Sequence, residues 1–282
     1  MAEPSPTTSQ FRPLPTTSLI APAATLLAMS SAAVDAGVPI SEAAMCLGVA
    51  AVLVANLRKL PASETPAPWP KRRLALAAVG LGFGVAVGSW LFAAIAWMHL
   101  SRSAITRHFN DAERRRLRAW WPVAVMAVPW VWADAWWLGW QMRLSSASAA
   151  GGLLASFLPS LSQQGTTLVI DGIAIDVAAS CAGLGLLQAT LTLGLAGVAF
   201  ASRNAFVTVA SVPLLVLVAW GVNVVRIVAL SLVAVFGSPE LAGKTLHDAI
   251  GYGLLVVLAT LGWAAFDRFS GPRSSVPAAE AV

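Results

Sequence analysis

The sequence predicts an all-α polytopic membrane protein of about seven transmembrane helices (six to eight), with a small extracytoplasmic β-hairpin at 166–177. Three observations predict it. The 282 residues are 57% hydrophobic and only 11% charged, against roughly 25% charged in a soluble domain. Several apolar runs reach the roughly 20 residues that span a bilayer core. The basic residues sit in short clusters beside those runs, where they act as orientation signals. The net charge of +5 therefore reads as a membrane-boundary feature, and no nucleic-acid partner is expected. No polar stretch is long enough to build a soluble domain, so one membrane domain follows.

Apolar runs occur at 18–35, 40–57, 74–98, 119–141, 182–201, 205–236 and 248–267. The first is diluted by Pro22, Asp35 and several hydroxyl residues. The run at 205–236 covers roughly 48 Å as a helix, more than one perpendicular crossing needs; it should tilt, break or rise above the bilayer at one end, and Gly221 and Asn223 are the expected places for a break. The run at 119–141 has tryptophans at both ends, Trp120 and Trp121 at one and Trp136, Trp137 and Trp140 at the other. A single helix between those belts would measure about 30 Å, the hydrocarbon thickness. Residues 1–17, rich in Pro, Ser and Thr, read as a disordered tail, and 268–282 as a C-terminal tail of the same kind. Arg12 is the one basic residue of the first, which excludes a signal-peptide n-region.

Orientation follows the arginines. The segment 99–118 holds Arg102, Arg107, Arg114, Arg115, Arg116 and Arg118 and is expected in the cytoplasm. Helix 119–141 then runs outward, 142–180 is extracytoplasmic, and the last helix returns to Arg268 and Arg273. The segment 58–73 carries Arg58, Lys59, Lys71, Arg72 and Arg73 and is expected in the cytoplasm too. A single crossing by 74–98 would put the two basic segments on opposite sides. Either the positive-inside rule fails at 58–73, or the glycine-rich run 74–98 is re-entrant.

The segment 166–177 reads as a hairpin because β-branched residues flank Asp171-Gly172, a preferred two-residue turn. It leads into Cys181, at the start of the run 182–201. A helix N-terminus favours a thiolate through its dipole and free N–H groups. Arg226 lies in the long run, and an ionisable group at membrane depth is a functional candidate. His247 precedes the last run. A cysteine, a cation and a histidine at one membrane face suit nucleophilic acyl transfer. Each also has an ordinary reading: a structural cysteine, a snorkelling arginine, a solvated histidine. Cys46, inside an apolar run, reads as a small buried hydrophobe. His99 and His108 fall in the cytoplasmic arginine segment, and Asp134 reads as a polar anchor among tryptophans. Neither a metal-ligand spacing nor a cofactor motif is present in the sequence.

The order of hairpin, Cys181-Ala182-Gly183-Leu184, Asn223-Val224-Val225-Arg226, and His247-Asp248 before a final helix resembles the exosortase/archaeosortase family. These are membrane-embedded cysteine enzymes that process C-terminal sorting signals of exported proteins. The resemblance covers about residues 150–267, and Ala182 stands where the family usually has serine. It implies that Cys181 is the nucleophile, that Arg226 stabilises the oxyanion or holds the substrate backbone, and that His247 is the general acid/base. Asn223, Asp176 and Asp248 are possible supporting residues. Residues 18–142 would then be N-terminal transmembrane helices with the cytoplasmic arginine loop, and 143–267 the catalytic region. The implied partners are the bilayer and exported proteins ending in a short motif, an apolar helix and a basic tail. The implied location is a bacterial inner membrane, with the site on the extracytoplasmic face. The rival from another class is a transporter or scaffold for envelope polysaccharide, in which Arg226 binds an anion and Cys181 is inert.

Overall fold

The computed structural model describes residues 15, 17–38, 40–58, 62, 66–134, 136–177, 182–202 and 204–238, and beyond them 242, 246, 249–251, 253, 254, 256, 257, 260, 261 and 264. It is mainly helical with one small antiparallel sheet. The helices are α1 Thr17–Asp35, α2 Ile40–Leu57, α3 Lys71–Val87, α4 Trp90–Thr106, α5 Asp111–Arg116, α6 Trp120–Val125, α7 Trp130–Asp134, α8 Trp136–Ala155, α9 Leu184–Ser202, α10 Ala205–Ala210 and α11 Val212–Phe236. A 3-10 turn, Leu117–Ala119, joins α5 to α6. The described residues from 249 to 264 are helical as well. Among the described residues, three stretches have the length and hydropathy of a full membrane crossing: Ser18–Asp35, Leu184–Ala201 and Ala205–Phe236. The runs 74–98 and 119–141 are divided into shorter helices. Large apolar side chains such as Leu76, Val79, Leu214 and Leu217 are exposed, as lipid-facing side chains are.

The chain divides into two compact units, residues 1–137 with 203–209, and residues 138–202 with 210–282. In the first, the run 74–98 is two helices that double back on each other. α3 ends at Gly88, which takes the left-handed conformation (φ +66°) and returns its N–H to the last turn. α4 starts two residues later. Small residues let the two helices approach closely: a Cβ on Gly84 would sit 3.0 Å from the backbone nitrogen of Ala93, and one on Gly80 3.4 Å from the Ala96 Cβ. The conflict between the two basic segments therefore disappears. Arg73, at the start of α3, and Arg102, near the end of α4, line one cleft. The Ala67 N–H donates to the Arg107 carbonyl at 2.9 Å, and the Arg107 guanidinium stacks 4.6 Å from the Trp69 ring centroid. Both basic segments lie at the same end of the hairpin, as the positive-inside rule requires of them.

The opposite end of the hairpin is held by Asp134. Its carboxylate accepts hydrogen bonds from Ser89 Oγ (2.8 Å), the Trp90 N–H (2.8 Å) and the Leu91 N–H (2.6 Å). Ser89 is the N-cap of α4 and makes no side-chain cap of its own, so a carboxylate 45 residues away in sequence satisfies the helix start. α4 also packs against α1, α6 and α7, and Trp97 Nε1 donates to the Pro22 carbonyl of α1 at 2.8 Å.

Two expected helix boundaries are corrected. The run 119–141 is not one helix. It breaks after Val125, where three successive N–H groups, of Met126, Ala127 and Val128, bond back only three residues. Pro129 follows; it lacks an N–H, and its ring crowds the carbonyl four residues back. The tryptophans therefore do not measure a straight 30 Å span, and α8 carries the helix on to Ala155, beyond its expected end at 141. The run 205–236 breaks at Ser211 and not at Gly221 or Asn223. Pro213 sits in the first turn of α11 and cannot donate to the carbonyl of Val209. Gly221 and Asn223 lie inside continuous helix.

The second unit holds the sheet. The predicted hairpin is present, as β2 Thr167–Ile170 and β3 Ile173–Asp176. Asp171 and Gly172 both take positive φ, +48° and +81°, as a type I′ turn demands. A strand not expected from the sequence, β1 Ser162–Gln164, pairs antiparallel with β2 and gives the order β1-β2-β3. Leu168 and Ile170, alternating on one face of β2, are fully buried against Ala147, Ala150 and Leu154 of α8 and Val224 and Ile227 of α11. The sheet thus covers the two helices that carry the polar residues described below.

Replacing Asp134 by Ala leaves two backbone donors and a hydroxyl without their acceptor. The expected cost is about 2–3 kcal/mol, read as a lower thermal midpoint in detergent. Asp134→Asn, which keeps one acceptor oxygen, should lose roughly half as much.

Candidate active site

Asn223 and Arg226 lie three residues apart on α11 and share one helix face. Asn223 is fully buried and Arg226 is 8% exposed, within a mainly apolar helix whose other buried polar side chain is Ser231. A buried amide costs about 1–3 kcal/mol unless it is hydrogen-bonded. Here the Asn223 Nδ2 donates to Ser146 Oγ of α8 at 3.2 Å. One turn earlier, Trp220 Nε1 donates to Ser145 Oγ at 3.1 Å. Two adjacent serines of α8 thus fix the rotation of α11 about its axis.

Gly183 precedes α9 with φ +79°, a conformation that side chains with a Cβ rarely adopt. A Cβ on it would stand 2.9 Å from the Asn223 Cγ. The backbone of Gly183 therefore lies directly against the Asn223 amide. On its other side, this turn touches α8: a Cβ on Gly139 would meet Leu184 Cδ1 at 3.2 Å and the buried Ala182 Cβ at 3.6 Å. One turn along α11, the Arg226 guanidinium lies flat against Gly251, where a Cβ would meet its Cζ at 3.2 Å and Nη2 at 3.3 Å.

Two close contacts thus gather on one face of α11 within one unit. Asn223 and Arg226 are brought together, and the glycines in contact with them follow Cys181 by two residues and His247 by four. Cys181, His247 and Asp248 themselves lie outside the described residues. Asp176 is engaged within the sheet, where its carboxylate accepts from Thr166 Oγ1 (3.0 Å) and Thr167 Oγ1 (3.4 Å). Cys46 is buried in α2 of the other unit. Sequence reading missed Ser146, because a serine in a small-residue helix carries no signal until its partner is known. It quoted Gly183 in the cysteine motif without giving it a role and passed over Gly251, although a glycine at a fixed distance from a candidate nucleophile is a visible hint of close approach.

These features define a membrane protein with a polar cluster held at the start of one spanning helix and inside another. The chain belongs to the transmembrane exosortase family, whose model matches residues 39–264. That match reaches well into the N-terminal unit, where the sequence motifs alone carried no resemblance. No curated protein and no solved structure matches the chain.

Gly183→Ala should force the Asn223 side chain aside and strain the turn, at about 1–3 kcal/mol. Gly221→Ala, on the same helix as Asn223 but with open space at its Cβ, should raise stability or leave it unchanged. Thermal midpoints of the two variants in one detergent check the pair.

Proposed function

We propose that this protein is a membrane-embedded cysteine transpeptidase or protease that cuts the C-terminal sorting signal of exported proteins. The observation that carries the reading is the contact of Gly183 with Asn223 and of Gly251 with Arg226. Gly183 follows Cys181 by two residues and Gly251 follows His247 by four, which supports a site gathered on α11 in a chain of the exosortase family. In this reading Cys181, as thiolate, attacks the carbonyl carbon of the scissile peptide bond. The Arg226 guanidinium stabilises the negative charge that develops on the carbonyl oxygen. His247 gives its proton to the departing amine, leaving the substrate as a thioester on Cys181. An acceptor amine or hydroxyl then attacks the thioester, with His247 taking its proton, and Cys181 is released; with water as the acceptor the outcome is hydrolysis.

Asn223 acts as a positioning residue, since it holds the turn that follows Cys181. Asp248 and Asp176 are further supporting candidates of this proposal. The substrate is an exported protein ending in a short motif, an apolar helix and a basic tail, and the helix enters the site from lipid. The protein sits in a bacterial inner membrane through about seven helical crossings, with the site on the extracytoplasmic face. No cofactor or metal enters the scheme.

Cys181→Ala should abolish processing of a co-expressed substrate while the protein still accumulates in the membrane, because the change removes little volume. Cys181→Ser should be almost as poor, since a hydroxyl is far less acidic than a thiol. Normal processing by Cys181→Ala, measured by immunoblot of substrate and product, would overturn the enzymatic reading in favour of a transporter or scaffold. Arg226→Lys should lose activity by at least about tenfold, because an ammonium cannot replace the planar fork of donors. Near-full activity in that variant would reduce Arg226 to a structural role.

A further inference from the structure

The arginines of the N-terminal unit do more than sit near one another. Arg73 from α3, Arg102 from α4, Arg114 and Arg115 from α5, and Arg118 from the following turn line a single cleft of about 400 Å³. One carboxylate, Asp111, stands among them, and it pairs with Arg114 at 3.3 Å. Arg114 is further fixed by its Nε donating to the Thr106 carbonyl at 2.9 Å. Among the described residues no ion pair engages Arg73, Arg102, Arg115 or Arg118, and the Nε of Arg102 is buried without a hydrogen-bond partner. Orientation of a membrane protein requires only that basic residues stay in the cytoplasm. It does not require five guanidinium groups from four elements to converge. Like charges held this close repel, and an anion with several acceptor oxygens offsets that repulsion while satisfying the free donors.

The surroundings identify the kind of anion. The cleft lies at the polar end of the α3–α4 hairpin. From the turn below Arg73 an exposed apolar stripe runs along α3: Leu76, Val79, Phe83 and Val87, between 50% and 70% exposed. Residues 73 to 87 cover about 21 Å of helix, well over half of a hydrocarbon core of about 30 Å. A phosphate in the cleft can thus be joined to an acyl chain on the stripe. Basic pockets between helices on the cytoplasmic side hold anionic headgroups by this chemistry.

We infer that the arginine cleft is a binding site for the phosphate headgroup of an anionic phospholipid, with an acyl chain lying along α3. The site belongs to the N-terminal unit and is independent of the peptide chemistry proposed for the other.

The test uses the full chain in nanodiscs of phosphatidylcholine with and without phosphatidylglycerol, released for native mass spectrometry. Wild type should retain phosphatidylglycerol over phosphatidylcholine. The double substitution Arg115→Gln/Arg118→Gln removes two exposed guanidinium groups with little risk to folding. At about 1 kcal/mol for each basic residue it should weaken retention by about 30-fold. Arg58→Gln/Arg72→Gln removes the same charge from the same face without touching the cleft, and should retain the lipid as wild type does. A second arm adds inorganic phosphate or glycerol phosphate to the phosphatidylcholine discs and follows the thermal midpoint. Stabilisation there by soluble phosphate, lost in the cleft variant and without preference for phosphatidylglycerol, would overturn the lipid source and assign the cleft to a free phosphate. Equal lipid retention by wild type and the cleft variant, or equal losses in both double variants, would overturn the site altogether.

Discussion

The second unit depends on one buried amide. Asn223 has no exposure inside a 25-residue apolar helix, and its amide must find partners or cost more than most side chains contribute. The Ser146 hydroxyl supplies one of them from α8, and the backbone of Gly183 closes on the amide from the turn before α9. A single side chain thereby fixes the relative placement of three helices, because neither contact survives a rotation of α11. Arg226, one turn on, inherits its direction from that fixed rotation and lies against Gly251. In lipid, where apolar side chains gain little by meeting one another, such polar and close-packed contacts carry much of the specificity of helix association.

The N-terminal unit applies the same rule at a helix end. The N–H groups that open a helix are costly to leave unpaired away from water. Asp134 reaches back to satisfy those of α4, and in doing so it ties the short helix α7 to the tip of the α3–α4 hairpin. At the hairpin's other end the polar groups have the opposite character. They are arginines, in excess of their carboxylates, gathered in a cleft. One end of the hairpin is internally satisfied, and the other is built to meet something charged.

The legible parts of the sequence were those in which a local residue choice admits one conformation. Asp171-Gly172 between β-branched runs became the type I′ turn it indicated. The arginine segments marked one face, and they share it once 74–98 is seen to double back. The errors fell where apolar composition was read as continuous helix. Pro129 and Pro213 each interrupt a helix that hydropathy alone extends, and in the run 205–236 the proline was a better guide than Gly221 or Asn223. β1 carries no alternating apolar pattern, since Ser162, Gln163 and Gln164 are all polar and exposed. Such a strand exists only because β2 offers it an edge.

By itself the sequence determined the membrane class, the face of the arginines, the hairpin turn and the spacing of the cysteine, asparagine–arginine and histidine motifs. These follow from local stereochemistry and from the cost of placing charge in lipid, which act on each segment separately. Only the tertiary structure decided that 74–98 turns back on itself, that Asp134 caps a helix far from it in sequence, and that Gly183 and Gly251 close on consecutive turns of α11. Those outcomes depend on which small residues face one another across helices and on which buried donor meets which acceptor. Such pairings join residues dozens of positions apart, and no local pattern in the chain encodes the partner.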